Sequence, residues 1–179
     1  DIDGVRLGRY WELKPGEPAP MTADECEERL DHLLGRAVRS HLLSDVPVGA
    51  FLSGGIDSSL VAALMAERGP VETFSIGFAG TRAGLDESAY ARQVARHLGT
   101  KHHELVLPAD VLNRLDEAVE SLDEPLADSA VLPTFLLSRH ASKRVKVVLT
   151  GEGADELFAG YDRYKAAYLT QRVASWPRP

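Results

Sequence analysis

Cysteine is nearly absent: Cys26 stands alone among 179 residues. A single thiol excludes an internal disulfide and a zinc site built on cysteines. Long apolar runs are missing too. No stretch of 18 apolar residues occurs, so no spanning helix and no membrane partner are expected. No basic-then-apolar leader opens the sequence, although a longer parent could carry one. These features point to a reducing, cytoplasmic setting. Positive charge is the scarcer sign, with 20 basic residues against 27 acidic and a net charge of −7. No Lys/Arg stripe stands out, and "SKRVK" (142–146) reads as a solvated helix end. Nucleic acid is therefore not an expected ligand.

What is present is a chain 44% hydrophobic, enough for one core. Residues 14–20, "KPGEPAP", read as a linker, and the sequence stops at "SWPRP" without the marks of a finished domain. The expectation is a junction over residues 1–20 and a partial domain over 21–179, cut from a longer chain. Helical spacing appears first over 22–42. There Thr22 and Glu25 form a capping box, and Leu30, Leu33, Leu34, Ala37, Val38 and Leu42 line one apolar stripe. Strands are expected at 46–52, 71–78, 101–107 and 145–151. Helices are expected at about 60–66, 85–100 with Gly99 as C-cap, 109–121, 130–141 and 154–169. Nearly all-apolar strands alternating with helices predict an α/β fold: a parallel sheet with helices on both faces. Ligands in such sheets sit beyond the carboxyl ends of the strands.

Two segments place polar residues there: "SGGIDSS" (53–59) and "TGEGADE" (150–156). In the first, Gly54 and Gly55 permit a tight turn and close backbone approach. The N–H groups of the following helix, with the positive end of its dipole, face the same space, and Ser53, Ser58 and Ser59 add hydroxyls. The combination is an anion cradle, best suited to phosphate. It is not the Gly-x-Gly-x-x-Gly dinucleotide loop. Nor is it the loop ending Gly-Lys-Ser/Thr, since no lysine occurs between Lys14 and Lys101. Asp57 inside a phosphate cradle would repel its ligand unless a cation lies between, which implies Mg²⁺.

"SGGIDS" (53–58) resembles the pyrophosphate-binding loop of the PP-loop ATP-pyrophosphatase superfamily. "VVLTGEGADELFAGYDRY" (147–164) resembles the synthetase domain of glutamine-dependent asparagine synthetases. "TFSIGF", "DESAYARQVARHLGTKHHEL" and "LDEPLADSAVLPTFLLSRHASKRVKVVLTGEG" are similar to that family in order and spacing, and "RYWELKPGE" (9–17) resembles its interdomain junction. The resemblance implies the three-layer PP-loop fold. It also implies an enzyme that adenylates the side-chain carboxylate of aspartate with ATP and Mg²⁺, releasing pyrophosphate, for attack by glutamine-derived ammonia. The ammonia would come from a glutaminase domain not visible here. A catalytic lysine is implied beyond residue 179, so the fragment alone would be weak or inactive. Homo-oligomerisation is left to the longer parent.

By the same resemblance, Ser53, Gly54, Gly55, Asp57 and Ser58 hold the leaving phosphates. Asp57 and Asp155 grip the metal, and Glu152, Asp155 and Glu156 form the catalytic acids. Phe51, Leu52, Ile76 and Gly151 lie on the adenine and nucleotide side. Asp123, Glu124, Asp128 and Ser129 lie beside the amino-acid substrate. Two alternatives stay open: a β-lactam synthetase or related amide former using the same adenylation, and a non-catalytic nucleotide-binding scaffold. His102 and His103 point to opposite sides of a strand and are no chelating pair. Cys26 reads as an ordinary helix residue, and Trp11 and Trp176 as core or interface.

Overall fold

A computed structural model of the protein describes residues 4, 5, 7–14, 16, 20–79, 87–108, 110–124 and 126–174. It divides into two compact units, residues 1–34 and 35–179. Helix α1 (Ala23–His41) runs through the division. In the first unit the capping box forms as its residues dictate. The Thr22 N–H donates to Glu25 Oε2 at 2.7 Å and the Glu25 N–H to Thr22 Oγ1 at 3.3 Å. The apolar stripe of α1 is not buried along its length: Leu30 and Leu33 are exposed, and Val38 is the buried position. Trp11 is likewise exposed, while Trp176 lies outside the described residues.

In the second unit, strands β1 (Val48–Phe51), β2 (Glu72–Phe78), β3 (Lys101–Leu107) and β4 (Val147–Leu149) form one sheet in the order β3-β2-β1-β4. Every pairing is parallel, with Ala50 opposite Thr73 and Leu149, and Phe74 opposite His103. The connections are helical: α2 (Ile56–Ala66), α3 (Ser88–Leu98), α4 (Leu115–Glu120) and α5 (Val131–Ala141). Alternate strand residues feed two separate cores. On one face Ala50, Leu52, Met65, Ala62, Ala91 and Ala95 join α2 and α3 to the sheet, with Val38 of α1. On the other, Phe74 and Leu107 meet Leu132, Leu136 and Leu137 of α5 and Ala118 of α4. This is the three-layer arrangement that its near-continuous apolar strands require.

His102 and His103 separate across the sheet as a period of two demands. His102 bonds the Thr73 and Ser75 hydroxyls at 3.0 and 3.1 Å, while His103 stacks on Phe74 and pairs with Glu72. Burial holds the His102 imidazole below its ordinary pKa.

Several boundaries differ from expectation, each for a local reason. β1 and β4 are shorter than 46–52 and 145–151: the ladder spans Val48–Phe51 and Val147–Leu149, with single bonds from Leu52 to Phe74 and from Lys146 to Pro47 just beyond it. α2 begins at Ile56, four residues earlier than Leu60, so the cradle merges into the helix. The stretch 109–121 opens as a 3-10 turn (Val111–Arg114) before α4. Of the helix expected at 85–100, residues 85 and 86 fall outside the described residues; Gly99 is the left-handed C-cap, at φ 66°. The single helix expected over 154–169 is two: α6 (Ala154–Phe158) and α7 (Asp162–Ala174). Ala159 turns left-handed (φ 60°) and the Gly160 N–H donates back to the Asp155 carbonyl at 3.1 Å, closing α6. No helix among the described residues is long and apolar enough to cross a membrane.

Candidate active site

Past the carboxyl ends of β1 and β4, the two polar loops meet. A cleft of about 380 Å³ is lined by Ser53, Gly55, Asp57 and Ser58 from one, and by Thr150, Gly151, Glu152, Gly153 and Asp155 from the other. Phe51, Thr134 and Tyr161 complete its wall. The loops touch closely: a methyl at Gly151 would lie 2.9 Å from Ser58 N and 3.0 Å from Asp57 Cβ. A bare backbone is thus what lets the second loop lie against the first turn of α2.

The first loop is wired to itself. The Ser53 N–H donates to Ser58 Oγ at 3.2 Å, the two hydroxyls bond at 2.9 Å, and the Gly55 N–H donates to Ser53 Oγ at 3.2 Å. The Ser58 hydroxyl also reaches the Gly55 carbonyl at 3.3 Å. These bonds correct the picture of three open hydroxyls. Ser53 and Ser58 stiffen the turn as well as facing the cleft. Ser59 does not line it, and its buried Oγ has no partner among the described residues. Gly54 does not line the cleft either. It turns at φ +90°, and a Cβ there would lie 2.5 Å from the Ala91 N of α3, so this glycine is the hinge pin of the turn. No side chain caps α2 at Gly55, which leaves its first-turn N–H groups for whatever enters.

The second loop places its acids differently. Asp155 is half-buried on the cleft wall, with Gly160 so close that a Cβ there would fall 1.8 Å from Asp155 Oδ1. Glu152 is exposed at the rim, its N–H donating to Thr150 Oγ1 at 3.3 Å. Glu156 does not line the cleft. It accepts a hydrogen bond from the Tyr161 hydroxyl at 2.8 Å, and Tyr161 does line it. That hydrogen bond, with a backbone one, holds the Glu156 carboxyl below its ordinary range; the same bond pushes the Tyr161 hydroxyl up. The Arg163 guanidinium lies 4.2 Å over the Tyr161 ring.

Two further cavities adjoin the cleft. One of about 190 Å³ shares Phe51 and Ser53 with it and contains Leu52, Ile76, Phe74, Ser75 and Glu87. Phe51, Leu52 and Ile76, expected together on the adenine side, thus do come together. The other, of about 400 Å³, shares Thr134 and Glu152 with the cleft. It contains Asp128, Ser138 and the apolar Leu122, Leu126, Val131 and Phe135. Of the four acceptor-side candidates only Asp128 lines it, with one carboxylate oxygen also accepting the Ala130 N–H at 2.8 Å. Asp123, Glu124 and Ser129 line none of the three cavities. Thr134, Tyr161 and Glu87 were not singled out from sequence. Thr134 and Ser138 stand one helical turn apart on α5, and that polar pair among leucines was the available signal.

The architecture defines the class: a parallel α/β domain whose cleft sits at the carboxyl edge of its sheet. The same fold is seen in a glutamine-dependent NAD+ synthetase from Acinetobacter baumannii, solved in complex with ADP. The TM-score is 0.51 at 24% identity, over 84% of this chain and 30% of that one. Residues 29–178 match the asparagine synthase family, and the chain belongs to it. A Mycobacterium bovis protein provisionally named asparagine synthetase [glutamine-hydrolyzing] is 43% identical over 90% of this chain and 25% of its own length. Asparagine synthetase [glutamine-hydrolyzing] 1 of Bacillus subtilis is 39% identical over 83% of this chain and 24% of its own. The amidase chyE of Penicillium rubens is 35% identical over 94% and 28%. The chain therefore spans about a quarter of the length of these relatives.

Proposed function

We propose that the chain is the ATP-using, amide-forming part of an asparagine synthetase. One observation carries this: loops some ninety residues apart in sequence close a single cleft with Asp57 and Asp155 on its wall. In the reaction, an oxygen of the aspartate side-chain carboxylate attacks the α-phosphorus of ATP. The bond from that phosphorus to the bridging oxygen breaks and pyrophosphate leaves. Ammonia released from glutamine elsewhere in the whole protein then attacks the acyl carbon, giving asparagine and AMP.

Ser53, Gly55, Asp57 and Ser58 form the phosphate cradle on the turn that Gly54 makes, its hydrogen bonds setting that turn before ligand arrives. Phe51, Leu52 and Ile76 receive the base, with Gly151 beside the nucleotide. Two carboxylates on one wall suit Mg²⁺, which takes one or two from the protein and the rest from phosphates and water. Asp57 and Asp155 would hold it, and when bound it would neutralise phosphate charge. Glu152, at the rim, is placed to accept a hydrogen bond from the incoming nitrogen as positive charge develops. Glu156 acts from behind, through Tyr161. The single exposed Cys26 suits a reducing, cytoplasmic compartment.

A second reading, the same adenylation on another carboxylic acid, is favoured by the largely apolar walls of the 400 Å³ chamber. The test is incubation of the whole protein with ATP, Mg²⁺, glutamine and a panel of acids that includes aspartate. AMP, pyrophosphate and asparagine are the expected products. ADP and phosphate would reject the mechanism, and amide formation with every acid except aspartate would select the second reading.

A further inference from the structure

We infer that Thr134 holds the reacting carboxylate of the acceptor at the junction of the cleft and the 400 Å³ chamber, with the acceptor's body in the chamber. The inference rests on the adenylation reading above. The attacked phosphorus must lie in the cleft, so the attacking carboxylate must reach into it while the rest of the acceptor extends elsewhere. On that reading the 190 Å³ cavity receives the base. The chamber meets the cleft at Thr134 and Glu152, which line both. A carboxylate arriving there is repelled by Glu152, whereas the Thr134 hydroxyl can donate to it.

Thr134 is also well mounted for the task. Its N–H donates to the Ala130 carbonyl at 2.9 Å, which fixes its backbone in the first turn of α5. The opposite side of α5 is anchored in the core by Leu132 and Leu136, with Leu137 buried beside it. The Thr134 side chain is exposed toward the cavities, and its hydroxyl makes no hydrogen bond among the described residues. Nothing in the fold requires that hydroxyl, so an isosteric change probes binding alone.

The experiment measures acceptor-dependent exchange of labelled pyrophosphate into ATP by the whole protein, with Thr134→Val and Thr134→Ser. Valine keeps the shape and removes the donor. The expected result is a KM for the acceptor raised about tenfold, the effect of losing one hydrogen bond to a charged group. The KM for ATP should stay within about twofold, and serine should restore most of the acceptor affinity. An unchanged acceptor KM in Thr134→Val, or equal rises for acceptor and ATP, would overturn the assignment while leaving adenylation intact. Absence of exchange by the unmodified protein with any carboxylic acid would remove the adenylation reading and this inference with it.

Discussion

In the loop after β1, Ser53, Gly55 and Ser58 spend four hydrogen bonds on one another, and Gly54 is pressed against the backbone of α3. The loop after β4 has far less of its own. The Glu152 N–H donates to Thr150 Oγ1 and the Ala154 N–H to the Gly151 carbonyl, each at 3.3 Å, and the five-residue α6 buries no side chain. Its acids are instead positioned from downstream, Asp155 by the close passage of Gly160 and Glu156 by the Tyr161 hydroxyl. The contrast matches what each loop is proposed to do. Phosphate is a fixed shape that a preset cradle serves best. Acids that meet a changing set of charges are set by contacts that one residue can retune.

The sharpest way to break this contrast is Gly54→Ala. A methyl would force φ +90° on a residue that disfavours it and meet the Ala91 and Tyr90 backbones at 2.5 and 2.6 Å, where nothing flexible can yield. A stability loss of about 2–4 kcal/mol is expected. Urea unfolding monitored by circular dichroism checks it, and a loss below about 0.5 kcal/mol would show that the turn is not over-determined.

Asp57→Asn tests the chemistry of the same loop without its scaffolding. It keeps size and one acceptor oxygen but removes the charge that would anchor Mg²⁺. Pyrophosphate release at limiting Mg²⁺ should fall about a hundredfold or more, with the circular dichroism spectrum unchanged. Release at the wild-type rate would remove Asp57 from the metal site and leave the cation to Asp155.

Gly160→Ala is the counterpart on the second loop. The clash there is with Asp155 Oδ1, the end of a side chain that can swing away, so the fold should tolerate the change. The displaced carboxylate should cost about ten- to hundredfold in pyrophosphate release, with a melting temperature close to that of the parent. A stability loss as large as that of Gly54→Ala would show that both loops are equally rigid.

Tyr161→Phe carries the smallest expected effect, about two- to fivefold in rate at neutral pH, for one exposed hydrogen bond to a carboxylate that does not line the cleft. Its signature is in the pH profile. The Tyr161 bond favours the charged Glu156 and lowers its folded pKa, so removing it raises that pKa toward the ordinary value. Activity that depends on ionised Glu156 should then fail at a higher pH on the acid limb. An acid limb that stays in place would separate Glu156 from the reaction.

Much of this molecule follows from local pattern. Apolar runs of strand length between helical repeats require a parallel sheet covered on both faces, because unbroken apolar strands cannot leave either face to water. Thr22 and Glu25 cap α1 through a contact three residues long. "SGGIDS" and "TGEGADE" were legible as polar loops because each interrupts apolar segments at the end of a strand. Their meeting in one cleft required the strand order, which brings β4 beside β1 across nearly a hundred residues. Tertiary contacts also decided the break at Ala159, where a good helix former turns left-handed. They turned the Ser53 and Ser58 hydroxyls toward each other, left Asp123, Glu124 and Ser129 outside the cavities, and put Thr134 where two of them meet. The physical reason is range. Capping and amphipathic repeats act over a few residues and show in the order of the chain, whereas a cavity wall is assembled from segments that become neighbours only when the sheet forms.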